Sequence, residues 1–172
     1  MNIVSFGGGT NSTAMIIGMY QRNIPIDLIL FADTGGEQPY TYKFIEGFKD
    51  WLADHGLPTI TVVEYHDKYG ARLSLEDECL RPNTLPSIAY GFKKCSLKHK
   101  IGTQEKYCNN DPRCREVWDE GERVNKYIGY DAGESRRVDH AAQFDNADKK
   151  YKKHYLLYEW GWTRETCHTI IV

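Results

Sequence analysis

The sequence predicts an α/β fold, a three-layer sandwich in which helices cover both faces of a doubly wound, mostly parallel β-sheet. Two observations indicate this class. Short, nearly continuous apolar segments alternate along the chain with longer segments in which apolar residues recur at helical spacing. In addition, three of the short segments run directly into polar loops, as expected where parallel strands end at a ligand crevice.

The first half of the chain is expected to supply alternating strands and helices. Strands are predicted at residues 3–6, 26–32 and 59–65, and helices at residues 12–22 and 39–52. The first two strands are continuous apolar runs, and the third is rich in β-branched side chains. Pro39 suits the first turn of its helix because proline has a fixed φ and needs no amide partner there.

The second half is more polar, and its pattern is weaker. Helices are predicted at residues 74–80 and 94–107 and from Thr163 to the end, with a fourth strand at residues 124–130. Residues 108–121 are polar and contain Asn-Asn-Asp-Pro, which predicts a mobile insertion. No strand is expected in the polar stretch from residue 139 to residue 153.

Length and composition indicate one domain that covers residues 1–172, of which 41% are hydrophobic. A formal net charge of −2 gives no general reason to expect nucleic-acid binding and does not exclude it. No apolar run reaches membrane-spanning length and no leader pattern is present, so a cytoplasmic location is expected. Five cysteines at irregular spacings argue against a disulfide framework.

The loop after the first strand has the chemistry of an anion site. Gly7, Gly8 and Gly9 let a ligand approach the backbone, and the helix that follows presents unpaired amides at the positive end of its dipole. Such helix starts bind phosphate. Glycine turns also end strands for packing reasons alone, and the loop matches neither the dinucleotide fingerprint nor the Walker pattern.

The same loop resembles the PP-loop, the Ser-Gly-Gly-x-Asp-Ser signature that binds pyrophosphate in ATP pyrophosphatases and sulfonucleotide reductases. The residues in matching places are Ser5, Gly7, Gly8, Gly9, Ser12 and Thr13. Asn11 stands where that signature usually has Asp. Asparagine keeps the hydrogen-bonding shape and loses the negative charge, so the residue that supports a metal in that signature is changed here.

The loop after the second strand resembles the Asp-Thr-Gly turn and Pro-x-Thr-Tyr helix start of the sulfonucleotide reductases. Asp33 is expected to accept hydrogen bonds from a ribose or from the glycine loop. The backbone of Phe31 and Ala32 is expected to meet an adenine edge. The alternative is that Asp33 and Thr34 only cap a turn.

Three later segments extend the resemblance over nearly the whole chain. Residues 129–137 are similar to the Gly-x-x-x-x-Glu-Ser-x-x-Arg segment, in which an arginine meets an anion; the alternative is an exposed basic helix face paired with Glu134. Residues 93–98 are similar to the region of those families that carries a Cys-x-x-x-Lys segment, and residues 162–165 to a Trp-Thr-Arg-Glu helix start.

On these motifs the chain resembles the PP-loop, adenine nucleotide alpha-hydrolase-like superfamily, on its phosphoadenosine phosphosulfate (PAPS) reductase-like branch. The resemblance implies a Rossmann-like fold, with nucleotide contacts from Ser5, Phe6, Gly7, Gly8, Gly9, Asn11, Ser12, Thr13, Phe31, Ala32, Asp33, Thr34, Gly129, Glu134 and Arg137. It implies anion contacts from Lys94, Lys98 and Arg136. Asn11, Lys94 and Arg137 are the catalytic candidates, and no general base stands out.

The implied activity is cleavage of ATP between its α and β phosphates with Mg²⁺, giving an adenylylated acceptor and pyrophosphate. The acceptor is unknown. Three alternatives stay open: an enzyme of the PAPS or APS (adenosine phosphosulfate) reductase type, a non-catalytic module that binds a nucleotide, and an enzyme that inserts sulfur into nucleic acid, as the phosphorothioation enzymes of this superfamily do.

The cysteines bear on the choice between these activities. Reductases of this group carry a nucleophilic cysteine well beyond the Trp-Thr-Arg-Glu helix start, and Cys167 comes too early to be its equivalent. Cys95, Cys108 and Cys114 could hold an iron–sulfur cluster or zinc. Their spacings match no standard metal-binding pattern, and isolated thiols are the favoured alternative.

Overall fold

The computed structural model, which describes residues 1–81 and 96–172, confirms the predicted α/β class. Its sheet has five parallel strands in the order β3-β2-β1-β4-β5. The strands are β1 (Asn2–Phe6), β2 (Leu28–Asp33), β3 (Ile60–Glu64), β4 (Val124–Ile128) and β5 (Tyr151–His154). The chain runs outward from β1 to β3 and then returns to the other side of β1. Strand order therefore reverses between β1 and β4, the position where sheets of this type bind ligands.

Helices connect the strands, as the right-handed crossovers of a parallel sheet require. They are α1 (Thr10–Gln21), α2 (Pro39–Asp54), α3 (Leu75–Leu80), a π-helix (Ser96–Gly102), α4 (Thr103–Asn110), α5 (Pro112–Asp119), α6 (Ser135–Asp145), α7 (Leu156–Glu159) and α8 (Arg164–Ile171). Among the described residues, no helix is both long and apolar enough to cross a membrane.

Alternate residues of β1 face two separate hydrophobic clusters, one on each side of the sheet. Val4 and Phe6 pack with residues of α1, α2, α7 and α8. Ile3 packs on the other side with Cys108 of α4 and Cys114 of α5. This is the three-layer arrangement that continuous apolar strands predict, because both faces of a central strand are buried.

The prediction of a mobile loop at residues 108–121 is wrong for most of that segment, which lies in α4 and α5. Asp111 caps α5 by accepting a hydrogen bond from the Arg113 amide at 2.9 Å, and Pro112 occupies the first turn. Cys108 and Cys114 are fully buried against the sheet. The Asn-Asn-Asp-Pro sequence is therefore the short junction between two packed helices.

The strand β5 was not expected from the sequence. Tyr151 is the strand's only buried residue, and the others, Lys152, Lys153 and His154, are polar. A strand at the edge of a sheet needs few apolar side chains, so the apolar pattern that revealed the central strands is absent here. The prediction of a helix at residues 94–107 corresponds, within the described residues, to the π-helix followed by the first part of α4.

Candidate functional site

The glycine loop, residues 7–9, is held in shape by hydroxyl groups from the start of helix α1. The Ser12 hydroxyl accepts from the Gly7 amide and donates to the Gly9 carbonyl, both at 3.1 Å, and the Thr13 hydroxyl donates to the same carbonyl at 3.0 Å. Helix α1 begins at Thr10, two residues earlier than predicted. Its geometry leaves the first three amides without intrahelical acceptors, so they are available to an anion.

Two glycines of the site leave little or no room for a side chain. Gly8 has a φ of 69°, and a Cβ there would lie 2.7 Å from Cγ2 of Thr41. A Cβ at Gly129, just after β4, would lie 3.1 Å from both the amide nitrogen and the Cα of Ser12. The end of β4 therefore approaches the start of α1 closely, which brings the loops after β1 and β4 to one place.

An open cavity of about 380 Å³ lies at this junction, where strand order reverses. It brings together eight predicted residues, Ser5, Gly7, Gly9, Asn11, Ser12, Gly129, Glu134 and Arg137. Tyr130 and Arg164 also line it and were not predicted as site residues. Arg164 belongs to the Trp-Thr-Arg-Glu segment, so the motif was recognised but its contribution to this cavity was not.

Asn11 is held by two carboxylates of the loop after β4. Its Nδ2 donates to Asp131 Oδ2 at 2.8 Å and to Glu134 Oε2 at 3.3 Å. Since a carbonyl oxygen would be repelled by these carboxylates, the contacts fix the orientation of the amide. Asn11 Oδ1 is buried without a hydrogen-bond partner in the described part of the chain. The negative charge that position 11 lacks is therefore present beside it.

Asp131 was not predicted as a site residue, although it is 6% exposed and central to this network. Its Oδ1 accepts from the Gly133 amide at 2.8 Å, and its own amide donates to Glu134 Oε2 at 3.1 Å. Glu134 also pairs with Arg137, whose guanidinium lies 4.2 Å from the centroid of the Tyr130 ring. Arg136 is exposed and lies outside the cavity lining.

The Asp33 carboxylate is engaged by its own loop, by α2 and by the segment after β3. Its Oδ1 accepts from the Gly35 amide at 2.8 Å and from the Tyr42 hydroxyl at 2.7 Å, and its Oδ2 contacts Arg72 at 3.0 Å. Burial and the hydrogen bond to Asp33 raise the pKa of Tyr42 to about 12. These contacts match the turn-capping alternative, and a contact with ribose stays a prediction.

Several other predicted contact residues are buried. Phe6, Phe31, Ala32, Thr34 and Thr13 are each at most 4% exposed. Their side chains form the packing below the loops, so any contact of theirs with a nucleotide would be made through the backbone. Sequence reasoning placed them correctly near the strand ends but could not separate side-chain from backbone roles.

Lys98, the lysine of the Cys-x-x-x-Lys segment that the structure describes, does not line the cavity. Lys98 donates to Glu78 Oε1 at 2.5 Å, and its ammonium lies 4.6 Å from the Tyr65 ring centroid. Although burial opposes its charge, the contact with Glu78 keeps the pKa of Lys98 above its ordinary value. Lys94 and Cys95 lie outside the described residues.

One residue missed by sequence analysis links the glycine loop to the helical layer behind it. Gln104, in the first turn of α4, accepts from the Ser5 hydroxyl at 2.9 Å and donates to the Leu30 carbonyl at 3.4 Å. It is 4% exposed. The predicted phosphate-binding Ser5 therefore also anchors α4 to the central strands.

A second open cavity, of about 300 Å³, lies on the other side of the glycine loop. Gly9 and Thr10 line both cavities, and Tyr40, Phe44 and His168 are among the side chains of the second. The loop is thus accessible from a polar side with arginines and from an aromatic side. A ligand on its amides can extend in either direction.

The thiols predicted as metal ligands are only partly within the described structure. Cys108 and Cys114 are neighbours between the sheet and the helices α4 and α5, away from the glycine-loop cavity. In residues 1–81 and 96–172, no group of three or more Cys, His, Asp or Glu side chains is placed to hold a metal ion. An iron–sulfur cluster that includes Cys95 stays a prediction.

No protein-family model matches this sequence, and no curated protein is found to be similar to it.

Proposed function

We propose that this protein binds ATP or a related adenine nucleotide with its pyrophosphate on the glycine loop and cleaves it between the α and β phosphates. An acceptor receives the adenylyl group, and pyrophosphate leaves. This proposal is supported by the convergence of the α1 amides, Asn11 and two arginines on one open cavity. The cavity lies where strand order reverses between β1 and β4.

Electrostatic stabilisation of the leaving pyrophosphate is the catalytic contribution that these groups can make. Charge develops on the leaving oxygen, and preorganised amides and guanidinium groups around it lower the energy of the transition state. Arg137 and Arg164 both line the cavity and can bind phosphate in bidentate fashion. Arg137 would exchange its ion pair with Glu134 for the phosphate, which leaves the carboxylate available.

The site is compatible with the Mg²⁺ that accompanies such nucleotides. Magnesium prefers oxygen ligands. Asn11 Oδ1 has no hydrogen-bond partner in the described part of the chain, and the nitrogen of the same amide contacts the carboxylates of Asp131 and Glu134. These three residues would hold the ion or its water molecules. When bound, the ion would neutralise charge on the phosphates.

A non-catalytic nucleotide-binding module is the second candidate. In the described structure, no acidic or basic side chain that could act as a general acid or base lines the cavity without already being paired to another side chain. Among the described residues, Glu134 is the only carboxylate that lines the cavity, and it contacts both Asn11 and Arg137. A reductase of the PAPS type has less support, since Cys108, Cys114 and Cys167 are 0% exposed and lie away from the cavity lining.

Binding and turnover of ATP separate these possibilities. We expect calorimetry with Mg²⁺ to show ATP binding, and α-labelled ATP with candidate acceptors to give labelled adenylyl product. Charged hydrogen bonds contribute about 1.5–3 kcal/mol, so Arg137→Ala and Arg164→Ala should each weaken binding by about 10- to 100-fold. Arg136→Ala is the matched control, because this neighbouring arginine lies outside the cavity lining.

The outcomes are distinct. An absence of nucleotide binding, or equal weakening by Arg136→Ala, would overturn the proposal. Binding without a labelled product for any acceptor would favour the non-catalytic module. Sulfite release from a phosphosulfate nucleotide in the presence of a thiol reductant would favour the reductase.

A further inference from the structure

The second cavity at the glycine loop, of about 300 Å³, is lined by aromatic side chains that the proposed function does not use. Tyr40 and Phe44 come from the first two turns of α2, and His168 comes from α8. We call this space the aromatic cavity. Its wall includes Gly9 and Thr10, which also line the first cavity. A ligand that lies on the glycine loop is therefore within reach of the aromatic cavity.

The two rings of α2 are accessible although they are large and apolar. Tyr40 is 84% exposed and Phe44 is 38% exposed. The two residues are four positions apart in the helix, so their side chains lie on the same face. Helix α2 packs directly on the loop, because a Cβ on Gly8 would lie 2.7 Å from Cγ2 of Thr41. The helix therefore places both rings beside the loop.

A planar ring is the ligand that suits these walls. Nucleobases and other heteroaromatic rings stack on aromatic side chains, and the stacked face is removed from water. The opposite wall of the cavity consists of Gly8, Gly9 and Thr10 at the start of α1. A molecule that carries a ring at one end and a phosphate at the other matches both walls.

The end of β2, where the sequence predicts contacts with an adenine, is less open. Phe31 and Ala32 are 2% and 3% exposed, and they line neither cavity at the loop. The Asp33 carboxylate is occupied by the Gly35 amide and the Tyr42 hydroxyl. A base at the end of β2 would require these groups to move, whereas the aromatic cavity is open as described.

We infer that the aromatic cavity is a binding subsite for a planar heteroaromatic ring, on which Tyr40 and Phe44 stack. This inference rests on the proposed function for the position of the phosphates on the glycine loop. Two molecules can supply such a ring: the nucleotide, through its base, and the acceptor of the adenylyl group. Both sources have the same chemistry at the cavity, and ligands that carry only part of the nucleotide distinguish them.

Calorimetry with Mg²⁺ tests the subsite by comparing ATP with inorganic pyrophosphate, which has no ring. Loss of one stacking ring weakens the binding of a base by about 5- to 150-fold. If the ring is the base of ATP, Tyr40→Ala should weaken ATP binding in this range and leave pyrophosphate binding unchanged. Tyr40→Phe keeps the ring and should restore ATP binding. Tyr69→Ala is the matched control, because Tyr69 is 83% exposed and lines neither cavity.

Adenosine, a ring without phosphate, separates the two sources. If the base of the nucleotide occupies the aromatic cavity, saturating ATP should displace adenosine. If the acceptor supplies the ring, adenosine should bind beside ATP. Tyr40→Ala should then abolish adenosine binding and leave ATP binding unchanged.

Other results would overturn the inference. Binding of ATP and adenosine could be the same in Tyr40→Ala as in the unmodified protein, or Tyr69→Ala could cause an equal loss. A failure of the proposed function is distinguishable from these results, because neither ATP nor pyrophosphate would then bind to the unmodified protein. In that case, adenosine binding that Tyr40→Ala abolishes would still support the ring subsite, and an absence of adenosine binding would overturn it.

Discussion

The side-chain amide of Asn11 donates to the Asp131 carboxylate at 2.8 Å, across the junction between the loops after β1 and β4. Glu134 accepts from the same nitrogen at 3.3 Å. An aspartate at position 11, as in the PP-loop signature, would face two carboxylates at hydrogen-bonding distance. The asparagine and the acidic loop are therefore electrostatically complementary, which explains how this chain keeps the loop's shape without its usual charge.

The variant Asn11→Asp should be less stable than the unmodified protein at neutral pH. It replaces two hydrogen bonds by repulsion between like charges, at a cost of about 1–3 kcal/mol. The neighbouring carboxylates would raise the folded-state pKa of Asp at this position above its unfolded value. Stability would then be highest below the unfolded pKa and would fall as pH rises through the folded pKa. Urea unfolding between pH 4 and pH 8 measures this dependence.

Asn11→Ala is the comparison, since it removes the hydrogen bonds without adding charge. The difference in stability between Asn11→Ala and the unmodified protein should therefore not change with pH in the way expected for Asn11→Asp. If Mg²⁺ binds to these carboxylates, millimolar Mg²⁺ should restore more stability to Asn11→Asp than to Asn11→Ala. Identical pH profiles for the two variants would show that the carboxylates do not act on position 11.

Gly9→Ala should separate nucleotide binding from stability. Gly9 has a φ of −112°, which any residue can adopt, and an added Cβ would meet no atom within 4 Å. The folded protein should therefore tolerate the methyl group, with an unfolding midpoint within a few degrees of the original. Gly9 nevertheless lines both cavities at the glycine loop. A methyl group there would obstruct a phosphate, and calorimetry should show ATP binding weakened by about 10-fold or more.

Gly129→Ala is the contrasting variant, because it should lose stability as well as ATP binding. Its Cβ would press on backbone atoms of Ser12 at 3.1 Å, so both stability and binding should decrease. Equal loss of stability in the two variants would contradict the described loop geometry. Unchanged ATP binding in Gly9→Ala would place the phosphates elsewhere.

Gly18→Ala should destabilise the protein even though alanine normally favours a helix. Gly18 lies in α1 beneath two indole rings, and a Cβ there would lie 2.6 Å from Trp160 and 2.9 Å from Trp162. Arg22 stacks on the same rings, with its guanidinium 4.2 Å from the Trp160 centroid, which limits their movement. We expect a loss of about 1–3 kcal/mol in urea unfolding.

Gly47→Ala is the matched control for this effect. Gly47 lies inside α2, and an added Cβ would meet no atom within 4 Å. Alanine should therefore stabilise that helix by about 0.5–1 kcal/mol. A similar change in both variants would show that the tryptophans do not pack on α1 as described.

The sequence revealed the central strands more reliably than the residues that complete the site. The strands β1 and β2 are recognisable because they are mostly buried, apolar runs. The strand β3 is recognisable by its β-branched side chains. The glycine loop is recognisable because its chemistry is local. Asp131 is separated from Asn11 by 120 positions, and no local pattern indicates that their side chains meet. Arg164 reaches the cavity only because α8 packs against α1.

The junction between α4 and α5 shows a second limit of sequence analysis. Polar residues predicted a loop there, yet Asp111 is 7% exposed and forms a helix cap. Its carboxylate contacts Arg113 at 2.7 Å as well as the Arg113 amide. Cap residues and loop residues have similar compositions, so only the contacts distinguish them.

Asp111→Ala should destabilise the protein by about 1–2 kcal/mol, because α5 loses its N-terminal cap. Asp111→Asn should retain the cap and lose only the ion pair, and it should therefore cost less. The side-chain hydrogen bond from Arg113 is the largest cause that lowers the pKa of Asp111 below its usual value of 3.8. Its contribution should be complete above that value and be lost as pH falls through the lower folded-state pKa.

Urea unfolding of these variants at pH 7 and at pH 3 measures both effects. The difference between the unmodified protein and Asp111→Asn should shrink at the lower pH, where the carboxylate of the unfolded chain is protonated. Asp119→Asn is a matched control, since this exposed carboxylate lies at the other end of α5 and does not cap it. If Asp111→Ala left stability unchanged, α5 would not depend on this cap.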